Sequence, residues 1–97
     1  MRVVIAGAGE VGTYLAKMLS KENHDITLLD EDKEKLEQLA IQVDLMTVCG
    51  FANSISDLKD AGISKADLFI AVTPFESRNV LACIIAKDLG AKKTIAR

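Results

Sequence analysis

The chain has 97 residues, 49% of them hydrophobic, with two cysteines and a formal net charge of −2. That length makes one small domain, which buries only about 60–65% of its unfolded surface and gains stability from a partner or ligand. A pI near 5.3 gives no positive field for a polyphosphate backbone, so nucleic acid is not an expected partner.

The first expected strand covers 2–6, where Val3-Val4-Ile5-Ala6 runs into Gly7-Ala8-Gly9-Glu10-Val11-Gly12. Each glycine of this spacing answers a different demand: a sharp turn, backbone approach to a pyrophosphate, and close packing of helix on strand. A helix is expected over 10–21, with Val11, Leu15, Met18 and Leu19 toward the sheet. The next strand, 25–29, leads to Asp30, 18 residues past Gly12. There a carboxylate can accept hydrogen bonds from both ribose hydroxyls of an adenosine. A glycine loop alone is weak evidence; strand before, helix after and acid at this distance together read as dinucleotide binding.

A second helix is expected at 32–41, with Leu36, Leu39 and Ala40 inward and Lys33, Glu34 and Lys35 on a solvated face. A third strand (45–48) precedes a short helix near 54–61, which starts at the capping-box-like Ser54-Ile55-Ser56-Asp57 and stops at Gly62. After a fourth strand, 67–72, Thr73-Pro74-Phe75-Glu76 reads as a helix start with Thr73 as N-cap and Pro74 at the first helical position. Capping explains Thr73 without a ligand, yet the same turn lies at the carboxyl edge of the sheet, where Thr73 would also face a nucleotide. The helix that follows is apolar nearly all round at Val80–Ala86, which implies a subunit contact or a cover from a further segment of the chain. A fifth strand, 93–96, closes the pattern.

Strands alternating with amphipathic segments give an α/β fold, a Rossmann-like doubly wound parallel sheet. The right-handed crossover rule sets the order 3-2-1-4-5, with the ligand crevice where strands 1 and 4 diverge. Every strand is apolar, as expected when helices cover both faces. Five strands fall one short of a complete dinucleotide fold, so the chain reads as a truncated single domain. No apolar run approaches the ~20 residues of a spanning helix and no leader pattern is present, so a cytoplasmic location without membrane insertion is expected. Cys49 and Cys83 read as reduced core thiols. His24, the sole histidine, reads as a surface turn residue away from the crevice. No positioned acid or base is visible for hydride transfer, which points to a reader of nucleotides; the alternative is the cofactor-binding fragment of an NAD-dependent oxidoreductase.

The glycine loop, His24-Asp25-Ile26-Thr27-Leu28-Leu29-Asp30, Ala61-Gly62-Ile63, Ala66-Asp67, Ile70-Ala71-Val72-Thr73, Asn79 and Ile95-Ala96-Arg97 resemble, over the whole length, the RCK/KTN domain of TrkA-type potassium-uptake regulators. The resemblance implies a regulatory domain that docks on a membrane potassium transporter, assembles as a homo-oligomer and reads bound NAD(H) or ATP/ADP as a signal. It also implies that Gly7, Gly9 and Gly12 hold phosphates with the backbone of Ala8, Glu10 and Val11, and that Asp30 holds the ribose. By the same resemblance Gly50, Phe51, Ala52 and Asn53 would flank adenine, and Thr73, Asn79 and Arg97 would lie near the nucleotide or an inter-domain contact. Phe51 stands where the family has an acidic or amide residue, so it either packs on the adenine face or plugs the core. Asp30 repels a 2′-phosphate, which disfavours NADP. Glu10, where some relatives carry arginine, offers no cation to a γ-phosphate and tilts the reading toward NAD(H).

Overall fold

The computed structural model describes residues 1–97. In chain order the elements are β1 (Arg2–Ala6), α1 (Glu10–Ser20), β2 (Asp25–Asp30), α2 (Lys33–Gln42), β3 (Met46–Cys49), α3 (Ile55–Asp60), a 3-10 turn (Ile63–Lys65), β4 (Leu68–Ala71), α4 (Glu76–Leu89) and β5 (Lys93–Ala96). All five strands are parallel in the order β3-β2-β1-β4-β5. The fold class and strand order are therefore those expected. In the register, Ile5 lies between Leu28 and Ile70.

Because side chains alternate along a strand, β1 feeds two cores. Val3 and Ile5 face α1 and α2 with Ile26, Leu28, Leu36 and Leu39. Val4 and Ala6 face α3 and α4 with Leu29, Leu58, Phe69 and Ala82. Fully burying each of the large side chains stabilises the fold by about 1.5–3 kcal/mol, most of it offset by chain entropy.

Several details depart from the sequence expectation. Gly12 and Ala16 are the buried residues of α1, while Val11 and Met18 are exposed. The small residues bring the helix close to the sheet, which turns its contact face toward Leu15 and Leu19. In α2 the inward residues are Leu36 and Leu39, continued by the C-cap Val43, and Ala40 is exposed. The edge strands β3 and β5 are largely exposed, unlike the three central strands. Cys49 ends the edge strand β3 and is exposed, so only Cys83 is a core thiol. Burial pushes the Cys83 thiol up from its ordinary value.

The start of α4 also differs. Its N-cap is Phe75, not Thr73. The Thr73 amide and hydroxyl both donate to Asn79 Oδ1, at 3.0 and 2.5 Å. This holds Thr73-Pro74-Phe75 in a non-helical turn and delays the helix to Glu76. The short helix α3 starts as expected, with Ser54 Oγ accepting the Asp57 amide at 3.3 Å.

Candidate functional site

The carboxyl ends of β1 to β4 gather the loops that carry most of the residues singled out by sequence. Gly7 follows β1 with φ +114°, and a Cβ there would meet the Val72 carbonyl oxygen at 2.8 Å, so both conformation and space exclude a side chain. A Cβ on Gly12 would sit 1.7 Å from the Gly7 carbonyl oxygen, which fixes how tightly α1 packs on the loop. Gly9 differs: nothing lies within 4 Å of the position its Cβ would take. It is the N-cap of α1, and no side chain caps the helix.

The amides of Gly9, Glu10, Val11 and Gly12 find no acceptor within the chain, and the first loop-to-helix bond is Thr13 N–H to Gly9 O at 2.9 Å. These donors, at the positive end of the α1 dipole, form a cradle for an anion. Two backbone assignments change. The Gly7 amide donates to Leu29 O at 2.8 Å, and the Ala8 amide donates to Asp30 Oδ2 at 2.7 Å. Gly7 and Ala8 therefore have no free amide for phosphate; Gly9, Glu10, Val11 and Gly12 have.

Asp30 is half-buried at the end of β2. Its Oδ2 takes Ala8 N–H and its Oδ1 takes Asp32 N–H at 2.8 Å. A carboxylate can accept about four hydrogen bonds, so capacity remains for a diol. Asp32 in turn caps α2, accepting from the Glu34 and Lys35 amides at 3.0 and 3.3 Å. A groove of about 570 Å³ opens beside the loop, between α1 and α2, from Ala8 and Gly9 to Lys35 and Gln42.

In the loop after β3, Gly50 N–H donates to Asp30 O at 2.9 Å, and Phe51 N–H donates to Asp57 Oδ2 at 2.9 Å. Half of Phe51 is exposed. The core-plug reading is thereby corrected, and an exposed aromatic face remains at this edge. Ala52 is buried in the core beside Leu58, so its side chain does not flank a base. Asp57, which sequence did not single out as a loop anchor, touches the Cβ position of Gly50 and braces this loop.

Asn79 is fully buried. Its Nδ2 donates to Thr73 O at 2.9 Å and Arg97 O at 3.3 Å, while its Oδ1 accepts twice from Thr73. All four hydrogen-bonding positions are spent, so Asn79 positions the turn and the end of β5 instead of contacting a ligand. Thr73 Oγ1 also accepts the Phe75 amide at 3.3 Å. Arg97 is exposed and extends the β4–β5 ladder through its amide to Ala71 O at 3.0 Å.

Sequence reasoning missed three further contributors. Thr13 Oγ1 donates to Ala8 O at 3.1 Å and ties α1 to the loop. Glu31 and Arg78 form an ion pair at 3.4 Å, and the Arg78 guanidinium lies 4.4 Å from the centre of the Phe75 ring. Thr13 falls one residue after the glycine motif and could have been found there; the other pair joins residues 47 apart and has no local signal.

Comparison with known proteins bears on this geometry. Residues 3–97 match the TrkA-N domain family. The chain is 38% identical, over its whole length, to the Trk system potassium uptake protein TrkA homolog of Methanothermobacter thermautotrophicus, and covers 45% of that protein. It is 42% identical to the homolog of Archaeoglobus fulgidus, covering all of this chain and 22% of the relative. The chain thus spans less than half the length of either. Among solved structures, a Shewanella denitrificans Kef CTD in AMP-bound form superposes with a TM-score of 0.83 over 98% of this chain and 57% of that one, at 21% identity. The anaerobillin reductase ChuY of Escherichia coli O157:H7 superposes at 0.77 over 97% of this chain and 48% of that one, at 17% identity. At such identities these two structures speak for the fold alone.

Proposed function

Because the chain belongs to the TrkA-N domain family, we propose that it is the nucleotide-sensing domain of a potassium-uptake regulator, binding NAD(H), or ATP or ADP, as a signal. The carrying observation is the row of free amides at Gly9, Glu10 and Val11 beside a braced Asp30. Those amides would hold the phosphates, and Asp30 the adenosine ribose. Phe51, exposed at the next loop, would lie along the adenine face. Thr73 and Arg97 would stand on the crevice side of the β4 and β5 ends.

The names of the curated relatives support a part in potassium uptake over an oxidoreductase fragment. No helix is long and apolar enough to cross a membrane, which fits a domain that works from the cytoplasmic side through a membrane transporter partner. The exposed Val80, Leu81 and Ile84 of α4 suit contact with a second copy or another domain of the assembly. Regulation then follows from population shift: a nucleotide moves the transporter only as far as its affinities for two arrangements of the assembled domains differ.

The test is potassium uptake in cells carrying Asp30→Ala, in protein shown to have lost nucleotide binding. Uptake should no longer respond to the nucleotide. An unchanged response would overturn the regulatory reading.

A further inference from the structure

Resting on the reading of the glycine loop as an adenine-nucleotide site, we propose that Glu31 determines specificity by withholding Arg78 from the 2′-phosphate of a phosphorylated dinucleotide. Glu31 directly follows Asp30, in the turn from β2 to α2. Arg78 is the third residue of α4, which packs on the opposite face of the sheet. β2 and β4 are not neighbours; β1 lies between them. The 3.4 Å pair therefore joins the two layers across the carboxyl end of β1, where the glycine loop begins.

Arg78 is held on two sides. Its guanidinium lies 4.4 Å from the Phe75 ring centre, and the Phe75 backbone is anchored by its N–H, which donates to Thr73 Oγ1 at 3.3 Å. An acid at the end of β2 that reads both ribose hydroxyls puts any group on the 2′-oxygen close to Asp30 and its neighbour. Proteins of this fold that accept a 2′-phosphate bring an arginine there. This chain has the arginine, but its Nη1 is turned to Glu31 at 3.4 Å. Asp30 is left as an unopposed negative charge, so a 2′-phosphate meets repulsion and no free cation. Both side chains of the pair are about half exposed, so breaking it costs little fold stability, and its consequence falls on ligand choice.

The test is calorimetric titration of NADH and NADPH into the intact protein and its Glu31→Gln, Arg78→Gln and doubly substituted forms. In Glu31→Gln the ratio of the NADPH to the NADH dissociation constant should fall about tenfold, and the second substitution should restore it. Arg78→Gln alone should raise the ratio, because Glu31 then stands unpaired. A ratio in Glu31→Gln within about twofold of the wild-type value, with NADH still bound, would overturn the role of Glu31 and leave the nucleotide site standing. Wild-type protein that binds neither dinucleotide would overturn the role of Glu31, and wild-type protein that binds neither these nor ATP or ADP would overturn both.

Discussion

The Asp30 carboxylate accepts the Ala8 amide at 2.7 Å, which ties the end of β2 to the glycine loop after β1. One side chain thus braces the loop and offers its remaining lone pairs outward. Asp30→Ala should lower unfolding stability by about 1–3 kcal/mol, because two backbone donors lose their acceptor. Urea denaturation measures that cost. Calorimetry on the still-folded variant should show NADH affinity weakened by about tenfold or more.

Two glycines of the same motif should respond in opposite ways. Gly12→Ala puts a methyl 1.7 Å from the Gly7 carbonyl oxygen; the helix must move, and a loss of about 2–3 kcal/mol is expected. Gly9→Ala meets nothing within 4 Å and should cost less than about 1 kcal/mol as a poorer N-cap. Yet its methyl would occupy the approach to the free amides, so nucleotide binding should fail in a protein that melts near the wild-type temperature. Thermal melts with and without NADH separate the two effects.

Asn79→Leu tests the clamp at the end of β4. Four hydrogen bonds to Thr73 and Arg97 disappear together, and the part-buried groups they served are left unpaired. A loss of about 3 kcal/mol or more is expected. Hydrogen exchange should quicken at the Thr73 amide before the core of β1 opens.

What could be read from sequence and what could not divide along physical lines. Periodicity and the glycine spacing sufficed for the strand order, since Val3-Val4-Ile5-Ala6 and Leu68-Phe69-Ile70-Ala71 carry their burial in their own composition. Asp30 was legible because its distance from the glycines is set by one helix and one strand. Side-chain fates decided by partners far along the chain were not legible. Asn79 looks like a ligand residue until its carboxamide is found saturated by Thr73 and Arg97. Thr73-Pro74-Phe75-Glu76 has every local mark of a helix start, but the Asn79 carboxamide overrides it. Phe51 and Ala52 are adjacent, and only the fold decides that one is exposed and the other buried.

At the amino edge of the sheet, the Arg2 amide and then Lys92 hold the Asp67 carboxyl below its ordinary value of 3.8. The Arg2 amide lies 2.9 Å from Asp67 Oδ2, and Lys92 Nζ lies 3.2 Å from Oδ1. A depressed native pKa means that the unfolded chain takes up the proton first. The stabilisation is therefore complete well above the unfolded pKa and disappears as pH falls through the lower native value. The gap in melting temperature between the wild type and Asp67→Asn should be present at neutral pH, narrow below about pH 4 and close in stronger acid.

The central claim is that an adenine nucleotide is held by the main-chain amides that open α1 with Asp30 beside them. Amide chemical shifts followed by NMR during titration with NADH test it most directly. The account predicts saturable shifts that are largest at Gly9, Glu10 and Val11, with Ala8 moving as the Asp30 carboxylate takes on the ribose, and none of these in Gly9→Ala. Shifts that leave those amides unmoved, or that centre on the exposed Val80, Leu81 and Ile84 of α4, would contradict it.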